Sequence, residues 1–187
     1  MDRYIINEKT MYIRAVVKSD GVYSIVQEFN EKPILVKKKP CLIMEETCYY
    51  YQTTYTVRKE ISRDIGNISH KPPIILRPET STYLFPTHSD RLKECSWINL
   101  QYVHSFKKKS MNETFVVFDD KTEILFPVSE YVMNNQFLNT IKLEYLLRTK
   151  SMKVDQVTKL AVNFEKSKTS IFEVLAMYAM LDQSKDT

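Results

Sequence analysis

The stretch MYIRAVVKSDGVYSIVQEF, Met11 to Phe29, decides how this 187-residue chain is to be read. From Met11 to Lys18, the residues Met11, Ile13, Ala15 and Val17 alternate with Tyr12, Arg14 and Lys18, the period of two that marks a half-buried strand. Ser19, Asp20 and Gly21 turn the chain into a second strand, Val22 to Phe29. A lone hairpin is barely stable in water, so the rest of the chain must supply more strands and a cover. Twelve Tyr and nine Phe beside many Val, Ile and Thr favour strands for much of it.

Pro33 and Pro40 bracket the segment ILVKKK, which reads as a short edge strand whose Lys37, Lys38 and Lys39 discourage stray pairing. Cys41 to Tyr51 reads as a further strand, and its tyrosines Tyr49, Tyr50 and Tyr51, like Trp97, as core; stacking on unpaired bases is the alternative. Val57, Ile61 and Ile65 then recur one turn apart, predicting a short helix with a buried apolar side and Gly66 at its C-terminus. Its other side gathers Arg58, Lys59 and Arg63, either as a solvated face or as a DNA-facing one. ISHKPPIILRP and TYLFPTHSDRL read as strand plus loop, the loops holding His70, Lys71, His88, Arg91 and Lys93. Trp97 to Phe106, Phe115 to Phe118 and Thr122 to Phe126 close a meander, with Lys107, Lys108 and Lys109 in a loop.

After Pro127 the period changes, and Phe137, Leu138, Ile141 and Tyr145 line a helix that starts near Ser129 and ends at Lys150. Residues 151–168 read as a polar linker before a last helix over 169–182, capped by Ser170 and Glu173 with a stripe of Ile171, Val174, Leu175, Tyr178 and Leu181. The expectation is therefore an α+β fold: an antiparallel, β-rich body over residues 1–150 with a short basic helix and a helix after the last hairpin, then a linker and separate C-terminal helix over 151–187.

Composition narrows the chemistry. Two glycines, Gly21 and Gly66, cannot build a phosphate-cradling glycine loop, which excludes P-loop and Rossmann sites. Three cysteines with no C-x-x-C spacing argue against zinc and fit a reducing compartment. No nucleophile elbow and no clustered carboxylates occur, so neither an enzyme nor a cofactor is expected. No apolar run approaches the roughly 20 residues of a membrane span, and the expected location is cytoplasmic. The net charge is +4, but residues 51–110 alone carry +5. A basic zone on an otherwise balanced chain suits a polyanion, because each neutralised phosphate releases counterions. An acidic protein partner is the alternative.

Four segments carry a resemblance to the ComK family of bacterial competence transcription factors: ISHKPPI (Ile68 to Ile74), LFPT (Leu84 to Thr87) followed by Ser89, CSWI (Cys95 to Ile98) and LLRTK (Leu146 to Lys150). CYYYQTTYTVRK (Cys48 to Lys59) is similar as well, although Gln52 and Ser96 stand where the motifs lead one to expect glycine. The resemblance implies an activator of DNA-uptake genes that binds AT-rich double-stranded promoter boxes as a homo-oligomer through the minor groove. It also implies a protease adaptor as partner, although the tail beyond Lys150 lacks the family's aromatic and proline motif. Arg58, Lys59, Arg63, Lys71, Arg91 and Lys93 are the DNA-contact candidates, with His70 as a donor and Lys107, Lys108 and Lys109 on phosphates.

Overall fold

The computed structural model describes residues 1–167. Strands β1 (Thr10–Lys18) and β2 (Gly21–Glu28) form the expected hairpin, with Lys18 paired to Gly21 across the turn. Strand β3 (Ile34–Val36) lies on the outer side of β2 as the expected edge strand, with Lys37, Lys38 and Lys39 just beyond its end. With β4 (Ile74–Arg77), β5 (Thr82–Pro86) and β6 (Trp97–Asn99) they make one six-stranded antiparallel sheet in the order β3-β2-β1-β6-β5-β4. The meander β7 (Val103–Ser110), β8 (Glu113–Phe118) and β9 (Glu123–Phe126) is a second, three-stranded sheet. The run Trp97 to Phe106 is thus not one strand. A single helical turn at Leu100–Tyr102, opened by the Asn99 side chain accepting from the Gln101 amide, carries the chain from one sheet to the other.

Both faces of the large sheet are covered, which is why neighbouring residues of one strand reach different cores. Ile13, Leu84 and Trp97 belong to one cluster with Ile43, Met44 and Cys48; Tyr12, Phe85 and Ile98 belong to another with Val116, Phe118, Phe126 and Met133. Tyr12, expected on a solvent face, is therefore buried. A bulge between Thr10 and Tyr12 turns Met11 into the same cluster as its neighbour. Tyr4 and Ile6 complete the first cluster, tying the N-terminal residues into the common core.

Three corrections concern helices. Cys41 to Tyr51 is not a strand but helix α1 (Pro40–Tyr50), with proline in its first turn and Ile43, Met44, Thr47 and Cys48 buried at helical spacing. Aromatic and β-branched content suggested a strand, but the burial pattern of this segment has a period near 3.6. Cys41 and Cys48 consequently lie two turns apart on similar sides rather than on opposite faces, and Tyr49 and Tyr50 are exposed instead of core. In helix α2 (Tyr55–Gly66) the inward side is Ser62 and Gly66 with half-buried Tyr55 and Lys59, whereas Val57 and Ile61 are exposed. Its left-handed C-cap is Asn67, at φ 51°, and Gly66 is helical. A Cβ at Gly66 would stand 2.7 Å from Ile68 Cδ1, so this glycine serves close packing. Helix α3 (Glu130–Ser167), capped by Ser129 Oγ accepting from the Val132 amide, runs on where a linker was expected. The expected helix over 169–182 lies outside the described residues. By its contacts the chain divides into two compact units, Met1–Leu146 and Leu147–Thr187.

Gln52 follows α1 at φ 56°, the left-handed region where glycine is preferred, and its side chain is exposed. That explains physically why the family motif leads one to expect glycine there. Gln52→Gly should raise the unfolding free energy by about 0.5–1 kcal/mol, the left-handed penalty less the extra entropy of glycine in the unfolded chain. Urea denaturation of both proteins measures it, and an unchanged or lowered midpoint would show that the turn carries no such strain.

Candidate nucleic-acid interface

Three segments converge on one cleft. Helix α2 is started by Thr54, whose hydroxyl accepts from the Val57 amide, and it presents Lys59 and Arg63 one turn apart. The loop after Asn67 brings Ser69, His70 and Lys71, and the loop after β5 brings His88, Ser89, Asp90 and Arg91. Together they line a cleft of about 580 Å³, with Pro72, Pro86 and Leu92 as its apolar wall. Proline fixes the backbone of both loops without needing amide partners, which suits irregular chain around a preformed site.

One carboxylate stands among the cations. Asp90 Oδ2 accepts from Lys59 Nζ at 2.6 Å and from the Tyr55 hydroxyl at 2.9 Å. Burial pushes the Asp90 pKa up, but these two donors and the nearby Arg91 outweigh it and hold the carboxyl below its usual range. The Tyr55 ring packs edge-on against Trp97, which is fully buried, and Lys59 Nζ sits 5.0 Å from the centre of the Tyr55 ring. Burial and the Asp90 carboxylate push the Tyr55 pKa up, so its hydroxyl keeps its proton and donates. Helix α2 is thereby fastened to the 88–92 loop through the core.

The remaining cations of the cleft are differently placed. Arg63 and Arg91 are exposed, and neither makes an ion pair with a described residue. Lys71 stands at φ 46°, a strained position for a side chain, and partial burial lowers its pKa. His88 is held near neutrality: burial and the charge of Lys71 lower its pKa, while its Nδ1 lies 3.0 Å from Thr87 Oγ1. The histidines aside, Lys59, Arg63, Lys71 and Arg91 exceed Asp90 by three charges.

Of the residues proposed from sequence, Lys59, Arg63, His70, Lys71 and Arg91 are brought together in this cleft. Arg58 and Lys93 are outside it; Arg58 is half-buried within electrostatic range of Cys48, and Lys93 is exposed. Lys107, Lys108 and Lys109 are not in a loop but on β7 of the other sheet, because the strand continues to a two-residue turn at Met111 and Asn112. Lys107 pairs with Glu123, and Lys109 Nζ is 3.4 Å from Glu113. Sequence reasoning missed Tyr55 and Asp90, which are 35 residues apart and carry no motif. Asp90 as a lone acid between His88 and Arg91 was the available signal.

Among the described residues, no group of three or more His, Cys, Asp or Glu side chains is placed to hold a metal ion, and no helix is long and apolar enough to cross a membrane. Burial raises the thiol of Cys95 to about 12 and those of Cys41 and Cys48 to about 11, which leaves them protonated at neutral pH.

Comparison with known proteins agrees with the sequence motifs. The family model described as ComK protein matches residues 1–152. The competence transcription factor of Bacillus subtilis (strain 168) is 31% identical over 152 residues, covering 80% of this chain and 76% of that protein. No solved structure is a significant match. The matched region contains both sheets, helices α1 and α2 and the whole cleft, and the chain belongs to the ComK family.

Proposed function

We propose that this protein is a transcriptional regulator of competence genes that binds AT-rich double-stranded DNA, with the cleft between α2 and the 88–92 loop holding the phosphate backbone. The observation that carries the reading is the cleft's charge: four cations converge there, and its single carboxylate is already neutralised by Lys59 and Tyr55. The similar Bacillus protein is a transcription factor by name, and its match spans every residue of the cleft. A division of labour follows. Lys59 is a positioning residue, because its ammonium is spent on Asp90, while Arg63, Lys71 and Arg91 face the polyanion.

A concave cleft grips a phosphate ridge and cannot itself enter a groove. The turn between β7 and β8 supplies a narrow projection, with Lys108 unpaired among the described residues and Met111 82% exposed beside it. Cations and a small apolar tip are the equipment of minor-groove readers. A·T tracts narrow that groove and deepen its negative potential, which attracts such cations with little base-edge readout.

Three outcomes test this. A·T-rich duplexes should bind better than G·C-rich ones, with T-for-A exchanges inside a tract tolerated and a minor-groove ligand competing. Gel-shift titration checks it, and competition only by major-groove blockers would overturn the groove assignment.

Arg63→Ala, Lys71→Ala and Arg91→Ala should each weaken binding across all sequences. Each should flatten the log–log salt slope by about 0.9, one lost phosphate contact apiece. Unchanged slopes would place the interface elsewhere.

Asp90→Asn tests the clamp rather than the contact. A carboxylate whose folded pKa is depressed contributes stability that is present above the unfolded pKa, about 3.9, and lost as pH falls through the folded value. The variant should therefore be less stable than the parent at pH 7, with the difference shrinking below about pH 4. Paired denaturation curves across pH measure it, and a difference independent of pH would mean that charge plays no part in the clamp.

A further inference from the structure

A second cavity, of about 320 Å³, opens where β1 parts from β6. The two strands pair only at Tyr12 and Ile13, and from Arg14 to Lys18 strand β1 pairs with β2 alone. Where the pairing stops, the Ser96 hydroxyl accepts from the Ala15 amide at 2.9 Å and donates to the Glu94 carbonyl at 3.4 Å. One side chain thus fixes the backbone of Glu94 beside that of Arg14. Arg14 and Val16 follow Tyr12 at the strand period of two, so they share its face, which looks toward the small sheet. Leu125 of β9 and Pro127 form the opposite wall. Two opposite charges line this cavity, and neither is used. The Arg14 Nε is buried without a hydrogen-bond partner. Its guanidinium and the Glu94 carboxylate form no ion pair, either with each other or with another described residue. A buried donor left unpaired costs about as much as a lost hydrogen bond, so the position calls for an acceptor.

We propose that this cavity binds a small zwitterion with an apolar body, an α-amino acid with an aliphatic side chain. Charge is the first reason. A carboxylate here takes the Arg14 Nε–H together with an Nη–H, the forked geometry in which guanidinium holds carboxylates best. An ammonium on the same molecule faces Glu94. A lone anion would meet Glu94 and a lone cation would meet Arg14, so only a molecule carrying both signs satisfies both side chains. The walls are the second reason. Val16, Leu125 and Pro127 offer an aliphatic side chain an apolar surface, and the same surface gives water few partners. Size is the third. A volume of about 320 Å³ equals a sphere about 8 Å across, at the small end of ligand sites, which puts both charges within reach of one small molecule. Because the Ser96 hydroxyl holds the Glu94 backbone against β1, the two charged side chains start from fixed positions and little ordering is needed on binding.

Binding is measured on the full-length protein without DNA, so a failure here leaves the DNA reading untouched. Calorimetric titration with L-leucine should show one site per chain with a dissociation constant of about 1 mM or tighter. Isocaproate, which lacks the ammonium, and isoamylamine, which lacks the carboxylate, should each bind at least about tenfold more weakly. Glycine, which lacks the aliphatic side chain, should also bind at least about tenfold more weakly. Arg14→Gln and Glu94→Gln should each weaken L-leucine binding at least about tenfold with an unchanged circular dichroism spectrum. A reading that needs no variant is the Arg14 Nε–H resonance of the isotope-labelled parent, which should shift as L-leucine is added. Absence of L-leucine binding at about 10 mM would overturn the proposal, and so would isocaproate binding as tightly as L-leucine. Parental affinity in either variant would overturn it as well. If neither variant folds, an Arg14 resonance unmoved by saturating L-leucine overturns it alone.

Discussion

The hydrogen bonds that Tyr55 and Lys59 donate to Asp90 are the constraint on which the cleft depends. Helix α2 is mostly polar, and few of its side chains are buried, so apolar packing alone holds it weakly. Its fixed points are Ser62 and Gly66 at the C-terminal end and Tyr55 at the N-terminal end, where the ring rests on Trp97. Asp90 joins that end to the loop carrying His88 and Arg91. A carboxylate half-shielded from water is costly unless satisfied, and here a phenol and an ammonium satisfy it, so the helix and the 88–92 loop hold one geometry.

Trp97 links this clamp to the rest of the chain because β6 is central in the large sheet. Its neighbour Ile98 points into the second core, against Phe118 and Phe126 of the small sheet. The short strand therefore transmits the position of one layer to the other. Asn99 reinforces it: its amide donates to the Thr10 carbonyl, and its carbonyl opens the turn that redirects the chain to β7. Ser96, standing where glycine was expected, uses its hydroxyl to accept from the Ala15 amide beyond the end of the β1–β6 pairing. A side chain there replaces a backbone partner.

What was legible in the sequence follows from range. The β1–β2 hairpin, the edge strand, the β8–β9 hairpin and the Ser129 cap depend on residues near in sequence, and they were read correctly. Helix α1 was not, because Tyr49, Tyr50 and Tyr51 favour strands intrinsically, while Pro40 at the helix start and the buried row Ile43, Met44, Thr47 and Cys48 decide the matter through packing. The inward face of α2 was misjudged for the same reason. Val57 and Ile61 form the more apolar side, yet the body offers Asp90 and Trp97 to the side of Tyr55 and Lys59, and those partners are distant in sequence. Five of the ten proposed contact residues meet in one cleft, since a local excess of cations survives folding whichever way the helix turns. The clamp itself was invisible, because two of its three residues, Tyr55 and Asp90, carry no motif and only the fold brings them together.

The cleft also shows where stability has been given up. Lys71 occupies a left-handed backbone position and is partly desolvated, and Asp90, the carboxylate that lines the cleft, is already engaged by Lys59. Strain and unpaired charge at one residue are tolerated when the surrounding structure over-determines the position, as Pro72 and Pro73 do on one side. Placing a phosphate in the cleft would restore an opposite charge to Lys71, and through Lys71 it would relax the influence that keeps His88 neutral. The proximity of these charges is what an incoming polyanion would relieve, without any change in fold.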